Sequence, residues 1–271
     1  MDKDFRSIDM FGVRIDMVSL DSAVNIIGGW LKKGRNYYVV TPNVEFLIAS
    51  LGDSEFKKVL NKADLAIPDS SRFSWAEESL EEKSLLKRIL FTPFVLAPPI
   101  IFKNRIPVTT GTDLVEALCV YAAKRGVRVG FLGGKNGVAD KASKRLVEKY
   151  PGLKVSFAES GPLVDNKGEE VGGQSRAISK LPETDILFVA FGQIKQEKWI
   201  AKNLEKIPAK VSIGVGGALD YFSGDVIRAP SLLRNLGLEW LFRLLIQPWR
   251  LKRQVNLLRF IWTIVFKKVG F

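Results

Sequence analysis

The 271-residue chain has no histidine and a single cysteine, Cys119. Without imidazole there can be no His-based triad and no His-ligated zinc, so a general base must be Asp, Glu or another residue type. One thiol builds neither a disulfide framework nor a Cys-rich metal site, and Cys119, in a helix-like stretch, reads as a small core residue. No apolar run reaches the roughly 18 residues of a spanning helix. The N-terminal stretch MDKDFRSIDMFGVRID lacks the apolar centre of a secretory signal, so the chain is expected to fold in the cytoplasm. Internal repeats and low-complexity segments are also missing.

What the chain does have is apolar content and positive charge. At 46% hydrophobic residues it can build a full core. The net charge of +12 is unevenly spread. From Arg228 to Phe271 there are nine Lys/Arg against one acid, Glu239, which places +8 in this tail. Such a concentration implies an anionic partner (phospholipid, nucleic acid or a phosphorylated substrate), although a solvated surface accounts for an ordinary charge run equally well.

Short β-rich runs recur along the chain: Tyr37–Thr41, Leu65–Ile67, Val127–Leu132, Lys154–Phe157, Ile186–Phe191 and Val211–Val215. Segments with helical spacing lie between them, such as Gly137–Tyr150 and Gln196–Leu204. The alternation predicts an α/β fold, Rossmann-like, with a mainly parallel sheet and helices on both faces. Residues 1–227 read as this domain and 228–271 as a helical basic appendage. An atypical insertion falls near residues 74–107. There the polar, helix-like Ser74–Lys87 leads into apolar Ile89–Phe102, where Pro93, Pro98 and Pro99 forbid a regular helix. A loop packed on the domain and a surface that touches lipid are both open readings.

In the tail, Leu238–Leu245 reads as an amphipathic helix with a Glu239–Arg243 pair, interrupted at Pro248. A second segment, Trp249–Lys268, follows. Its apolar stretch Leu257–Phe266 would be roughly 15 Å long as a helix. That is about half the hydrocarbon thickness, so it suits the membrane interface rather than a span. Leu257–Phe271 accordingly reads as an anchor.

Ligands of parallel α/β sheets bind beyond the carboxyl ends of the strands. The residues there are Thr41-Pro42-Asn43, Pro68-Asp69-Ser70, the turn Gly133-Gly134-Lys135-Asn136-Gly137, Gly192-Gln193-Ile194-Lys195-Gln196-Glu197, and Gly216-Gly217-Ala218-Leu219-Asp220. The glycine-rich turn runs from a strand into a helix, where backbone N–H groups favour phosphate, but it lacks the spacing of an ATPase loop. The first strand of the alternating pattern is followed by TPN rather than G-x-G-x-x-G, against a dinucleotide dehydrogenase. Asp69 is the carboxylate best placed as a base, with no charged neighbour until Arg72. Burial would raise its pKa toward a useful value. An Asp capping the next helix fits the same position, and spacing alone favours the cap.

In this order the motifs VTPNVEF (Val40–Phe46), ADLAIPDS (Ala63–Ser70), TGTDLVEAL (Thr110–Leu118), FLGG (Phe131–Gly134), FGQIKQEKWI (Phe191–Ile200), GVGGALDYFSGDVIRAP (Gly214–Pro230) and GLEWLFRLLIQPWRLKRQ (Gly237–Gln254) resemble the WecG/TagA/CpsF family of bacterial glycosyltransferases. The resemblance covers roughly residues 9–254. It implies an inverting transferase that moves an N-acetylmannosamine-like sugar from a UDP-sugar to a polyprenyl-pyrophosphate-linked acceptor, in cell-wall or surface-polysaccharide synthesis. It also implies no cofactor and no essential metal, and the chain shows no DxD motif.

Carried over by motif, Asp69 would be the general base. Thr41 and Asn43 would line its pocket, Gln196 would position reacting groups, and Asp220 would read the uridine. Gly133, Gly134, Gly192, Gly216 and Gly217 join them as candidate substrate-binding residues at the strand ends. Arg243, Arg250 and Arg253 would offset phosphate charge from an appendage at the membrane, with the protein peripheral on the inner face.

The chain departs from the family pattern at Ser70, where the family has glycine, and at Val108, where it has arginine. Lys103 or Arg105 are the candidate replacements for the latter. A catalytically inactive nucleotide-binding membrane adaptor of the same fold is the alternative. No nucleic-acid module is recognised, and a homo-oligomer is left open.

Overall fold

A computed structural model of the chain describes residues 5–102, 106–171 and 178–266. The chain opens with a hairpin of β1 (Ser7–Met10) and β2 (Val13–Asp16), followed by α1 (Leu20–Trp30), β3 (Tyr37–Val40), α2 (Val44–Gly52), α3 (Ser54–Lys62) and β4 (Leu65–Ala66). The insertion region holds α4 (Arg72–Glu81) and α5 (Leu85–Phe91), then short 3-10 turns at Thr92–Leu96 and Pro98–Ile100. Next come α6 (Gly111–Arg125), β5 (Arg128–Gly133), α7 (Val138–Lys149), β6 (Lys154–Glu159) and a small hairpin of β7 (Leu163–Val164) and β8 (Glu170–Val171). The remainder is β9 (Thr184–Ala190), α8 (Lys195–Asn203), β10 (Ala209–Gly214), α9 (Ala218–Phe222), α10 (Ser231–Asn235), α11 (Glu239–Ile246) and α12 (Leu251–Phe266).

Six strands form one parallel sheet in the order β4-β3-β10-β9-β5-β6. The fold is thus α/β with helices on both faces. Side chains alternate along each strand, so each strand feeds two cores. Tyr38, Val40, Leu187 and Val189 point into a core shared with α2, α3, α4, α8 and α12. Their neighbours Tyr37, Val39, Ile186 and Phe188 point into a second core with α1, α6, α7 and α9. Burial on both faces is why these strands read as continuous apolar runs rather than alternating ones.

Local chemistry sets the helix ends. Thr110 caps α6, its Oγ1 accepting from the Asp113 N–H at 3.1 Å. Lys124 and Arg125 fill the last turn, and Gly126 ends the helix at φ 69°. These are the residue types a helix dipole and a left-handed C-terminus favour.

The insertion packs one side on the domain and leaves apolar residues exposed on the other. Its prolines sit in the first turns of the 3-10 segments, where no backbone N–H is needed. Val95, Pro98 and Phe102 are buried while Leu86, Leu90, Ile100 and Ile101 are exposed. Indole donors hold it in place: within it Trp75 Nε1 donates to the Phe91 carbonyl at 2.9 Å, and from outside it Trp240 Nε1 of α11 donates to the Leu96 carbonyl at 2.9 Å.

The tail holds a packing role that its sequence did not signal. Helix α12 lays Leu257, Phe260, Ile264 and Val265 into the core against α2, α4 and α5. Phe260 is 0% exposed and meets Phe11 and Trp75. Burying such a ring contributes about 1.5–3 kcal/mol. The opposite side of α12 exposes Leu251, Val255, Leu258, Trp262 and Phe266 at helical spacing. Among the described residues no helix is long and apolar enough to cross a membrane. Lys267, Lys268 and the last three residues lie outside the described residues.

Candidate active site

A cleft of about 720 Å³ opens at the carboxyl ends of β3, β4, β9 and β10, with α11 and the start of α12 along its other wall. Its lining brings together Thr41, Asn43, Asp69, Gly192, Gln196, Gly216, Gly217, Asp220, Arg243, Arg250 and Arg253. Gly133 and Gly134 are not part of it. These two glycines serve packing. A Cβ on Gly133 would stand 2.6 Å from the Ala190 backbone, and one on Gly134 would stand 2.7 Å from Val138. The turn they begin allows β5 to lie close to β9 and α7 to start.

Asp69 does not cap α4. The cap position there is Ser71, and the Arg72 N–H donates to Ser70 Oγ at 3.3 Å. The Asp69 backbone N–H donates to the Pro42 carbonyl at 2.8 Å, which joins the β4 end to the β3 end. Its carboxylate lies near the start of α6, where the Gly111 N–H favours its charged form. Burial raises its pKa to about 8, against the lowering pull of Arg243, with Glu239 and Asp113 adding to the rise. A group poised there can take a proton from a hydroxyl near neutral pH.

Around it the polar atoms are held in place. Thr41 Oγ1 donates to the Gly214 carbonyl at 3.3 Å, tying β3 to β10. Asn43 Oδ1 accepts from the Glu45 and Phe46 N–H groups at the start of α2, which leaves its Nδ2 donor without a partner among the described residues. Asp220, on α9, has its pKa raised by burial and by Asp225.

Gln196 sits in a network that sequence spacing did not reveal. Gln196 Oε1 accepts from the Gly216 N–H at 3.1 Å, and its Nε2 donates to Glu197 Oε1 at 2.6 Å. The second oxygen of Glu197 accepts from the Ile194 N–H at 2.7 Å. Glu197 is fully buried, and burial raises its pKa to about 7. It thereby holds Ile194 at φ 73°, a strained conformation for a β-branched residue. Gly214 leaves room for the pair, since a Cβ there would stand 2.5 Å from Glu197 Oε1.

The appendage supplies the cations. Arg243 donates to Tyr221 Oη and lies 3.5 Å from Glu239. Arg253 lies 3.6 Å from Glu45, and Arg250 donates to Gln247. Arg243 and Arg253 are close enough to depress the Arg250 pKa, after burial, so three positive charges crowd one wall. Such a wall suits a diphosphate. The cleft also contains Arg72, Arg234 and Trp240, which sequence reasoning did not single out as ligand contacts. Val108 lines the cleft as well, while Lys103 and Arg105 lie outside the described residues.

The cleft thus joins a carboxyl of raised pKa at one strand end to a cationic wall. The model of the Glycosyl transferase WecG/TagA/CpsF family matches residues 8–97 and 92–271. The chain belongs to this family. It is 29% identical over 227 residues, 84% of this chain and 78% of the relative, to a protein of Bacillus subtilis (strain 168) named N-acetylglucosaminyldiphosphoundecaprenol N-acetyl-beta-D-mannosaminyltransferase. A protein of the same name from Staphylococcus aureus (strain MRSA252) is 27% identical over 263 residues, 96% of this chain and 93% of that one. In this glycosyltransferase the candidate site residues gather around one cleft, apart from Gly133 and Gly134.

Proposed function

We propose that this glycosyltransferase moves an N-acetylmannosamine-like sugar from a UDP-sugar to a polyprenyl-diphosphate-linked sugar acceptor, with inversion, in cell-wall or surface-polysaccharide synthesis. The observation that carries the reading is Asp69, poised near pH 8 in the cleft opposite Arg243, Arg250 and Arg253. In this reading the acceptor hydroxyl gives its proton to Asp69 as its oxygen attacks the anomeric carbon. The bond to the diphosphate breaks, and the arginines offset the charge on the leaving UDP. Asp220 meets the uridine, and Thr41, Asn43 and Gln196 orient the sugars. The names of the two relatives support the donor sugar and the lipid-linked acceptor. The arginine wall supports charge neutralisation without an essential metal.

The same reading makes the protein peripheral on the inner face of the membrane. The exposed apolar stripe of α12, with Trp249 and Trp262 and the flanking Lys252 and Arg259, has the composition of an interfacial surface. The deciding experiment is a screen of UDP-sugars against a short-chain polyprenyl-diphosphoryl-sugar acceptor, read by mass spectrometry. Acceptor-dependent UDP release supports the reading. Binding of UDP with neither transfer nor hydrolysis supports an inactive adaptor instead.

A further inference from the structure

Of the five cleft arginines, four have a polar or acidic neighbour: Arg234 at 3.7 Å from Asp113, Arg243 with Glu239, Arg253 with Glu45 and Arg250 with Gln247. Arg72 is different. It forms no ion pair and no side-chain hydrogen bond among the described residues; its Nε, like that of Arg234, is buried with no partner. The Trp240 ring lies beside it, 5.4 Å from the guanidinium. Burial lowers its pKa to about 10, with only Glu45 pulling the other way. Arg72 is half-buried and lines the cleft without a polar partner for its side chain, so an anion in the cleft would complete its hydrogen bonding.

Its location says which ligand. Arg72 begins α4, three residues after Asp69. It shares its wall of the cleft with Pro99 and Phe102 of the insertion, Trp240 of α11, and Arg253 and Leu257 of α12. The insertion and α12 carry the exposed apolar residues Leu90, Ile100, Leu258 and Trp262. Asp220, with Arg250 and Arg243 nearby, belongs to the β10 end of the cleft. The cleft therefore has a cation near its apolar rim, Arg72, in addition to the three arginines of the appendage.

We infer that Arg72 binds the diphosphate of the lipid-linked acceptor, its guanidinium donating to phosphate oxygens beside Arg253 while the prenyl chain leaves over the apolar rim. The inference rests on the transferase reading above. It also gives the cleft a cation where Val108 offers none.

The test compares the full-length protein with Arg72→Met and Arg72→Lys variants, measuring UDP and farnesyl diphosphate binding by calorimetry at fixed ionic strength. Arg72→Met should weaken farnesyl diphosphate about 10- to 100-fold, the change that corresponds to a hydrogen bond to a charged group. UDP affinity should stay within about twofold, and Arg72→Lys should recover part of the loss as a point charge. Because Arg72 lacks a polar partner, the Met variant should melt no lower than the parent. An equal loss for UDP would overturn the acceptor assignment in favour of the donor. Unchanged farnesyl diphosphate binding, or a lowered melting temperature with loss of both ligands, would overturn it altogether. Failure of the unmodified protein to bind either ligand would count against the transferase reading itself, a result distinct from these.

Discussion

Replacing Asp69 by Asn tests the chemistry and the electrostatics together. The substitution keeps shape but removes the proposed base. Loss of a general base costs about 10²- to 10⁴-fold in rate. UDP should still bind, because the cations that would meet it are on α11, α12 and the turn between them. In the parent enzyme a base with pKa about 8 is ionised in only about a tenth of molecules at pH 7. The parent's kcat/KM should therefore rise about tenfold from pH 7 to a plateau above pH 8, since that ratio reports the free enzyme.

The same carboxyl makes a stability prediction of fixed sign. Its folded pKa is raised from 3.8 to about 8. The folded state thus holds a proton that the unfolded chain releases above about pH 4. The stabilisation is full below the unfolded value and is lost progressively as pH rises to about 8. Asn carries no charge to desolvate, so the variant should match the parent near pH 4 and exceed it by on the order of a few kcal/mol above pH 8. The assays are acceptor-dependent UDP release across pH 6–9 and denaturant unfolding across the same range with added acid points. Near-normal turnover of the variant, or a flat parent profile, refutes Asp69 as the base. Equal stabilities above pH 8 refute the buried-carboxylate argument.

Other perturbations separate parts of the design. Glu197→Gln keeps volume but turns one acceptor into a donor, so either the Ile194 N–H or Gln196 Nε2 loses its partner; about 1–3 kcal/mol of stability should go, with a fall in kcat, read by unfolding and initial rates. Phe260→Ala should cost about 3–5 kcal/mol in unfolding experiments, because the ring is fully buried between Phe11 and Trp75. By contrast, Leu258→Ser with Trp262→Ser, at 65% and 66% exposure, should leave the melting temperature within a few degrees yet cut sedimentation with anionic liposomes; equal pelleting would remove the outer stripe as a lipid contact. Incubation with EDTA should leave the transfer rate unchanged, and a rate restored only by added divalent ions would contradict charge offset by arginines alone.

Five strands of the main sheet are readable because burial writes them as apolar runs, and the edge strand β6, where only Phe157 is buried, is readable from its β-rich composition. The β1–β2 hairpin is not. Its turn places Phe11 at φ 61° beside Gly12 at φ 78°, and phenylalanine is not a residue that announces a left-handed turn. It is there because the ring is buried against Phe260, a contact from the other end of the chain. Strand-end position located Asp69, Thr41, Asn43, Gln196 and Asp220. It also picked out Gly133 and Gly134, because a glycine required for close strand packing looks the same in sequence as one that admits a phosphate. Arg72 carried no signal beyond its charge, since its isolation depends on which carboxylates fold away from it.

Helix α12 explains why the tail resists division into anchor and catalytic parts. Its first turns carry Arg253, Gln254 and Leu257 in the cleft wall, its inner face seats Phe260 in the core, and its outer face exposes Leu258 and Trp262. A helix is stiff over this length, so the three surfaces move together. Contact of the outer face with lipid would restrain the orientation of Arg253 relative to Asp69. A truncated chain lacking residues 249–271 would then lose the cleft wall and the core ring along with any lipid contact. Its failure to bind liposomes would say nothing about which surface does the binding. Only substitutions confined to the outer stripe separate lipid contact from folding and from chemistry. If the restraint matters, those variants should keep their UDP affinity while losing turnover specifically in the presence of vesicles.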